Sequence, residues 1–248
     1  LICCHTYSMP HYRDEAVVIR THKLGEVDRI VTLLTKNNGQ VRAVAKGVRK
    51  TSSRIGARLE PFTVVDVQLY QGRTLDTVSQ VEQLSNYGSV IISDYATYTA
   101  ASAVLETAER LTREDSSSQQ FMLVVGALRA LSLKEQASDQ ILDSYLLRAL
   151  AISGWIANLE LCQGCGSDAP VAFSVHTGAV SCTSCMLPGS VRLGEEGIAH
   201  IESLLVGDWP GVATASSKTR KAVSGVVSAY LQWQLERGLR SLEHVERA

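Results

Sequence analysis

The sequence predicts a mixed β and α chain: a small five-stranded β barrel comes first, followed by a helical domain with an inserted four-cysteine, zinc-finger-like module. Three observations predict it. Short β-rich apolar runs fill residues 16–81, apolar positions at helical spacing take over after Gly88, and two Cys-x2-Cys pairs interrupt the helical part. With 248 residues and 45% hydrophobic side chains, the chain can bury one large core or two modest ones.

Residues 1–11 begin Leu1-Ile2-Cys3-Cys4-His5, with the first Met at position 9, and are expected to be a leader or a vector-derived remnant. Adjacent cysteines converge poorly on one ion, so Cys3 and Cys4 are not read as a metal site. Candidate strands then span 16–19, 30–34, 41–45, 62–69 and 75–81. Asn37-Asn38-Gly39 is a turn signal between the second and third, and Gln71-Gly72-Arg73 separates the fourth from the fifth. Five short strands in so little chain suit a closed barrel such as an OB-fold, expected over 12–84, better than a parallel α/β sheet.

Helical periodicity covers 90–111, 121–133 and 141–152, with a polar break at Ser116-Ser117-Ser118. Ser138 or Asp139 is expected to cap the third helix and Gly154 to end it. This gives a first helical part over 85–160, a module over 161–190, and a C-terminal helical part over 191–248 with helices at 198–206 and 218–239. No stretch approaches the roughly 20 apolar residues that cross a bilayer, and no basic segment followed by an apolar one opens the chain. A cytoplasmic location is expected, and there is no internal repeat.

Cys162-Gln163-Gly164-Cys165 and Cys182-Thr183-Ser184-Cys185 are two knuckles whose thiolates can meet on one tetrahedral ion. Four cysteines close the coordination shell, so the expected cofactor is one structural zinc ion per chain, held by Cys162, Cys165, Cys182 and Cys185. A catalytic zinc would keep a position open for water. Disulfides or buried thiols are the competing readings.

Charge is polarised along the chain. The segment 42–58 carries Arg42, Lys46, Arg49, Lys50, Arg54 and Arg58 and no acid; the rest holds 18 basic against 25 acidic residues, a balance of −7. A basic patch on an acidic protein concentrates attraction for phosphate on one face. Arg42, Lys46, Arg49, Lys50, Arg54 and Arg58 are therefore candidate nucleic-acid-binding residues, a solvated loop being the competing reading; with the family resemblance given below, Lys23 and Arg29 join them as candidate DNA-binding residues. Stacking aromatics are sparse in the barrel, with Phe62 and Tyr70 the main ones, so phosphate neutralisation is expected to outweigh base stacking.

Signatures of catalysis are missing: there is no Walker A sequence, no Gly-x-Ser-x-Gly and no His-Glu-x-x-His. Gly164 to Ala169 formally matches a dinucleotide fingerprint, but it overlaps a knuckle, follows a helical pattern and runs into Pro170. The neighbours Asp14-Glu15 and Glu195-Glu196 diverge on a strand or helix and are read as solvated charge.

Three segments carry a family resemblance: Arg13-Asp14-Glu15-Ala16-Val17-Val18-Ile19, Leu24-Gly25-Glu26-Val27-Asp28-Arg29-Ile30, and the run KGVRKTSSRIGARLEPF from Lys46 to Phe62. They resemble the bacterial recombination mediator family RecO, in its actinobacterial form. The likeness continues through 95–111, Asp143-Ser144-Tyr145-Leu146-Leu147-Arg148 and both knuckles, about 12–239 in all. It implies an OB barrel and a helical domain with a zinc-finger-like insertion. It also implies a non-enzymatic protein that binds single- and double-stranded DNA and anneals complementary strands. With RecR, and in some pathways RecF, such a protein helps load RecA on gaps coated by single-stranded-DNA-binding protein, whose acidic C-terminal tail it docks. Arg129, Lys134 and Arg148 are the basic residues of the helical domain expected to meet that tail. Some family members lack the cysteines; here all four are present. The alternatives are a nucleic-acid-processing enzyme with a basic OB-fold, a thiol redox sensor using the Cys pairs, and a regulator that reads base sequence.

Overall fold

The first strand, β1 (His11–Leu24), is long because its two halves serve different partners: its N-terminal half pairs with β4 (Thr63–Tyr70), its C-terminal half with β2 (Asp28–Thr35). A computed structural model describes residues 11–49, 53, 55–113, 117–235 and 239–246. With β3 (Gln40–Ala45) and β5 (Asp76–Asn86) these strands close a barrel of order β1-β2-β3-β5-β4. Its last seam is short and parallel, pairing Ala43 with Asp76 and Val44 with Thr77. This is the expected OB-fold. Inward residues Ala16, Val18, Val31, Leu33, Ala43, Ala45, Val65, Val67, Leu69, Val78 and Val81 form one buried cluster, which Val48 and Leu59 extend. A 3₁₀ turn over Gly56–Leu59 supplies Leu59.

Asp14 departs from the expectation of solvated charge. It is 4% exposed and accepts hydrogen bonds from Asn37 N (3.1 Å), Asn37 Nδ2 (2.8 Å) and Asn38 Nδ2 (2.7 Å). The Asn37-Asn38-Gly39 turn is thus built around a buried carboxylate, which three donors compensate for lost hydration. Its neighbour Glu15 points the other way and meets Lys36 at 3.3 Å.

Two compact units divide the chain. One takes the described residues up to Ser89 and those from Thr112 to Val125; the other takes Val90–Leu111 and the described residues from Gly126 onward. The expected helix over 90–111 is two pieces, α1 (Gly88–Ile91) and α2 (Tyr95–Leu111). Asp94 starts the second: its carboxylate accepts Thr97 N at 3.2 Å and the Thr97 hydroxyl, and those bonds hold its carboxyl below the usual range. Next come α3 (Ser118–Leu133) and α4 (Ser138–Ile152). The expected Ser138 or Asp139 cap is not formed: Ala137 is the N-cap, without a side-chain bond, and both residues lie inside the helix. Gly154 does follow the C-cap, at φ 93°.

α4 is the axis of the helical unit, buried at nearly every position and flanked by α2, α5 (Gly194–Val206) and α7 (Ser217–Gln234). Two of its polar residues bond to α5: Ser144 Oγ donates to Leu204 O at 2.7 Å, and His200 Nε2 donates to Gln140 Oε1 at 2.9 Å. Burial holds the His200 imidazole below its usual range, so that bond joins neutral groups. A short α6 (Trp209–Thr214) precedes α7, which ends at Gln234, short of the expected 239. Among the described residues no helix is long and apolar enough to cross a membrane.

Candidate nucleic-acid interface and metal centre

Strand register assembles the basic end of the barrel. Lys23 on β1 lies opposite Arg29 on β2, and Arg29 opposite Ala45 on β3, so the next residue, Lys46, arrives at the same end. The loop beyond is fastened to the β1–β2 turn. Gly47 N donates to Asp28 Oδ1 at 2.7 Å, Arg49 N to Val27 O at 2.9 Å, and Arg49 Nη1 to Gly25 O at 3.0 Å. Val48 turns into the core, and a Cβ on Gly56 would lie 2.2 Å from the Val48 carbonyl oxygen. Only glycine lets those two backbones approach so closely.

The eight candidate cations separate by what they touch. Lys23, Arg42 and Lys46 are exposed and have no ion-pair partner among the described residues. Arg49 is exposed, with one N–H on the Gly25 carbonyl. Two others are tied into the barrel: Arg29 Nη1 donates to Glu60 Oε1 at 2.5 Å and Arg58 Nη1 to Val81 O at 2.8 Å. Lys50 and Arg54 lie outside the described residues. Of the two aromatics, Phe62 is buried and Tyr70 is 43% exposed, edge-on to His11.

Elsewhere on the barrel several cations are paired with carboxylates. Arg13 holds Asp66 through two N–H···O bonds of 2.7 Å, with Glu82 at 3.8 Å. The exposed cations Lys23, Arg42, Lys46 and Arg49 thus gather on β1–β3 and the loop after β3. The register adds a residue that the basic window 42–58 omitted. Arg20 lies opposite Thr32, and Thr32 opposite Arg42.

In the helical unit, a three-stranded sheet forms the module: β6 (Ala172–Ser174), β7 (Ala179–Ser181) and β8 (Val191–Arg192), in the order β7-β6-β8. The β6–β7 hairpin doubles the chain back between the knuckles, so the two Cys pairs meet. The four Sγ atoms all lie within 4.8 Å of one another, with Cys165 and Cys182 at 3.8 Å. Zinc–sulfur bonds of ~2.3 Å in a tetrahedron put sulfurs about 3.8 Å apart, so this donor set fits a tetrahedral ion. Gly164 makes room for it: a Cβ there would meet Cys185 Cβ at 2.8 Å and Sγ at 2.9 Å. Gly166 N donates to Cys162 O at 2.8 Å and Cys162 N to Ser167 O at 2.8 Å, closing the first knuckle.

Electrostatics points the same way. Backbone N–H groups, foremost that of Cys182, hold the Cys162 thiol down at about 6. The surrounding sulfurs of Cys165, Cys182 and Cys162 push Cys185 up to about 12. Four thiolates this close repel one another until a cation shares their charge, so a bound divalent ion would stabilise all four in their ionised form. Aromatics fasten the module to α7: Phe173 meets Tyr230 edge-on at 5.5 Å, His176 meets Trp233 at 4.2 Å, and Tyr230 OH donates to Trp155 O at 3.3 Å.

The residues expected to meet an acidic tail all fall in the helical unit and are exposed. Arg129 on α3 meets Glu135 at 3.6 Å, Lys134 follows α3 with φ 52°, and Arg148 is the exposed position among the buried residues 141–150 of α4.

Comparison with known proteins agrees across both units. A family model described as recombination protein O N terminal matches residues 9–87, and one described as recombination protein O C terminal matches 92–243. A DNA repair protein RecO of Nocardioides sp. is 52% identical over 242 residues, covering 95% of this chain and 99% of the relative. That of Thermobifida fusca is 50% identical over 243 residues, 97% of this chain and 100% of the relative. That of Frankia casuarinae is 49% identical over 243 residues, with the same shares. The relatives are actinobacterial, as the sequence suggests, and the chain belongs to the RecO, or recombination protein O, family.

Proposed function

We propose that this chain is a DNA repair protein of the recombination-mediator kind, acting stoichiometrically rather than as an enzyme. It binds single- and double-stranded DNA largely without regard to sequence and anneals complementary strands. With RecR, and in some pathways RecF, it helps load RecA on single-strand gaps. Its place of action is the cytoplasm, at the nucleoid. The observation that carries this reading is the group of exposed cations without an ion-pair partner among the described residues, Lys23, Arg42 and Lys46 with Arg49 beside them, at one part of the barrel, while Arg13, Arg29 and Lys36 are paired with carboxylates. Lys50 and Arg54 extend the cluster in sequence, while Arg29 and Arg58 also shape the barrel.

Mechanistically, neutralising phosphates on two strands lowers their mutual repulsion, and contacts with phosphate carry no sequence information. In the helical unit Arg129, Lys134 and Arg148 receive the acidic C-terminal tail of single-stranded-DNA-binding protein, which brings the chain to coated gaps. Cys162, Cys165, Cys182 and Cys185 hold one zinc ion. When bound it closes the module and supplies folding free energy, with no open coordination position for chemistry.

The test is annealing of two complementary labelled oligonucleotides precoated with the cognate single-stranded-DNA-binding protein, mixed with this chain without nucleotide. Acceleration that disappears at high salt is the expected result. An annealing rate no faster than that of the oligonucleotides alone would overturn the mediator reading.

A further inference from the structure

The four cysteines of the module are not equally sheltered. Cys162 is 2% exposed, Cys182 and Cys185 are partly buried, and Cys165 is exposed. The residues around Cys165 account for its exposure. Gly164 and Gly166 flank it and carry no side chain to cover it, while Thr183 and Ser184 in the facing knuckle are short and themselves exposed. A larger residue cannot replace Gly164, because its Cβ would meet Cys185 Sγ at 2.9 Å. The close approach that gathers the sulfurs therefore also strips the cover from one of them.

Cys165 has a reaction partner in place. Its Sγ lies 3.8 Å from that of Cys182, across the two knuckles. Disulfide sulfurs are about 2.05 Å apart, so the pair has to close by less than ~2 Å. Thiolates gathered on one tetrahedral ion are at the same time gathered within reach of each other. Cys162 is buried, and its backbone is tied by bonds from Gly166 N and to Ser167 O.

Resting on the zinc reading above, we infer that Cys165 is an oxidation site and Cys182 the thiol that resolves it, so that a hydroperoxide opens the module and reduction closes it. First the Cys165 sulfur attacks hydrogen peroxide: an S–O bond forms, the O–O bond breaks and hydroxide leaves, giving a sulfenic acid. The Cys182 thiolate then attacks that sulfur: an S–S bond forms, the S–O bond breaks and a second hydroxide leaves. The two sulfurs together lose two electrons, which the peroxide takes up. Cys162 and Cys185 are left as half a coordination shell, too little to keep the ion or the folding free energy it supplies. The new bond joins the same two knuckles that the ion joined, so the ends of the module stay together and a dithiol that reduces the bond restores the site.

The experiment follows zinc release from the full chain, purified under reduction, on addition of hydrogen peroxide, using a chromophoric chelator and peptide mapping by mass spectrometry. Expected are loss of the ion, a disulfide-linked peptide pair containing Cys165 and Cys182, and recovery of zinc content once dithiothreitol and zinc are supplied. Trp155 and Trp233 give an optical readout, since Tyr230 bonds the Trp155 carbonyl and His176 packs on Trp233. Their emission should shift to the red on release and return on recovery. Cys165→His keeps a four-ligand shell of a kind zinc accepts and removes the exposed sulfur, and should release the ion about tenfold more slowly. Cys185→His leaves the reacting pair intact and should release it within about twofold of the unsubstituted rate. Zinc retained in excess peroxide, or released with a disulfide inside one knuckle, would overturn the switch and leave the structural zinc site standing. Equal release from both histidine variants would remove Cys165 from its role. Peptide mapping of the unsubstituted chain decides the pair even where a histidine variant takes up no zinc. A reduced chain that holds no zinc would overturn the zinc reading itself.

Discussion

The barrel closes on a continuous apolar cluster running from Ala16 to Val81, and none of its exposed cations belongs to that cluster. The cysteine module is built the other way: its strands are three, three and two residues long, and the groups that would bind its ligand are the same ones that hold its ends together. A region with its own core can carry function on its surface at little cost to the fold. A region too small for a core has to make its binding site its fold. Substitutions should therefore separate stability from activity in the barrel and leave them inseparable in the module.

The largest expected effect is in the module. Metal content of about one zinc per chain should fall to near zero in Cys162→Ser/Cys165→Ser, removing an apparent contribution on the order of 10 kcal/mol to local folding. Limited proteolysis should then cut within 155–192 while a barrel fragment resists. Retained metal, or a module that stays resistant without it, would break the comparison.

In the barrel, Lys46→Ala/Arg49→Ala/Lys50→Ala should weaken DNA binding about 10²-fold or more near physiological salt and flatten the salt slope by roughly two units. Its melting temperature should stay within about 2 °C of wild type, since Lys46 and Arg49 are exposed and exposed substitutions change stability little. A large loss of stability would show that the loop after β3 contributes to the core more than its exposure suggests.

A smaller effect lies at the C-terminal 3₁₀ turn (Ser241–His244), which is tied to α2 by a carboxylate in place of a metal. Glu106 accepts Arg240 N at 3.1 Å, Ser241 N at 2.9 Å and Ser241 Oγ at 2.6 Å, with Arg110 at 3.1 Å. Burial pushes its carboxyl up, but the bonds from Ser241 and Arg240 outweigh burial and hold it below the usual range. A depressed carboxyl stabilises the fold above its unfolded pKa of about 4.3, and that contribution is lost as pH falls below it. Glu106→Gln should cost about 1 kcal/mol at neutral pH. Melting curves of the two proteins should converge as pH drops through 4; parallel curves would remove Glu106 from the account.

Much of this was legible in residue order because the signals are local. Apolar spacing located every barrel strand and each of the longer helices, and Cys-x2-Cys spacing located the knuckles. What escaped depends on partners distant in the chain. Asp14 reads as one of two surface acids until β1 and the β2–β3 turn come together and bury it under three donors. Arg29 and Arg58 look equivalent to Lys46 until Glu60 and the Val81 carbonyl engage them. Ser138 looks like a cap, but a cap is a backbone conformation, and that conformation falls on Ala137.

The sequence by itself determined the elements, the family, the four cysteines that cluster and the sign of the charge on the segment 42–58, because spacing and composition are set one residue at a time. Only the tertiary structure decided which of the candidate cations are tied into the barrel and which stay exposed without an ion-pair partner among the described residues. Facing and pairing follow from register, and a single extra residue at Ile19 reverses every side chain after it.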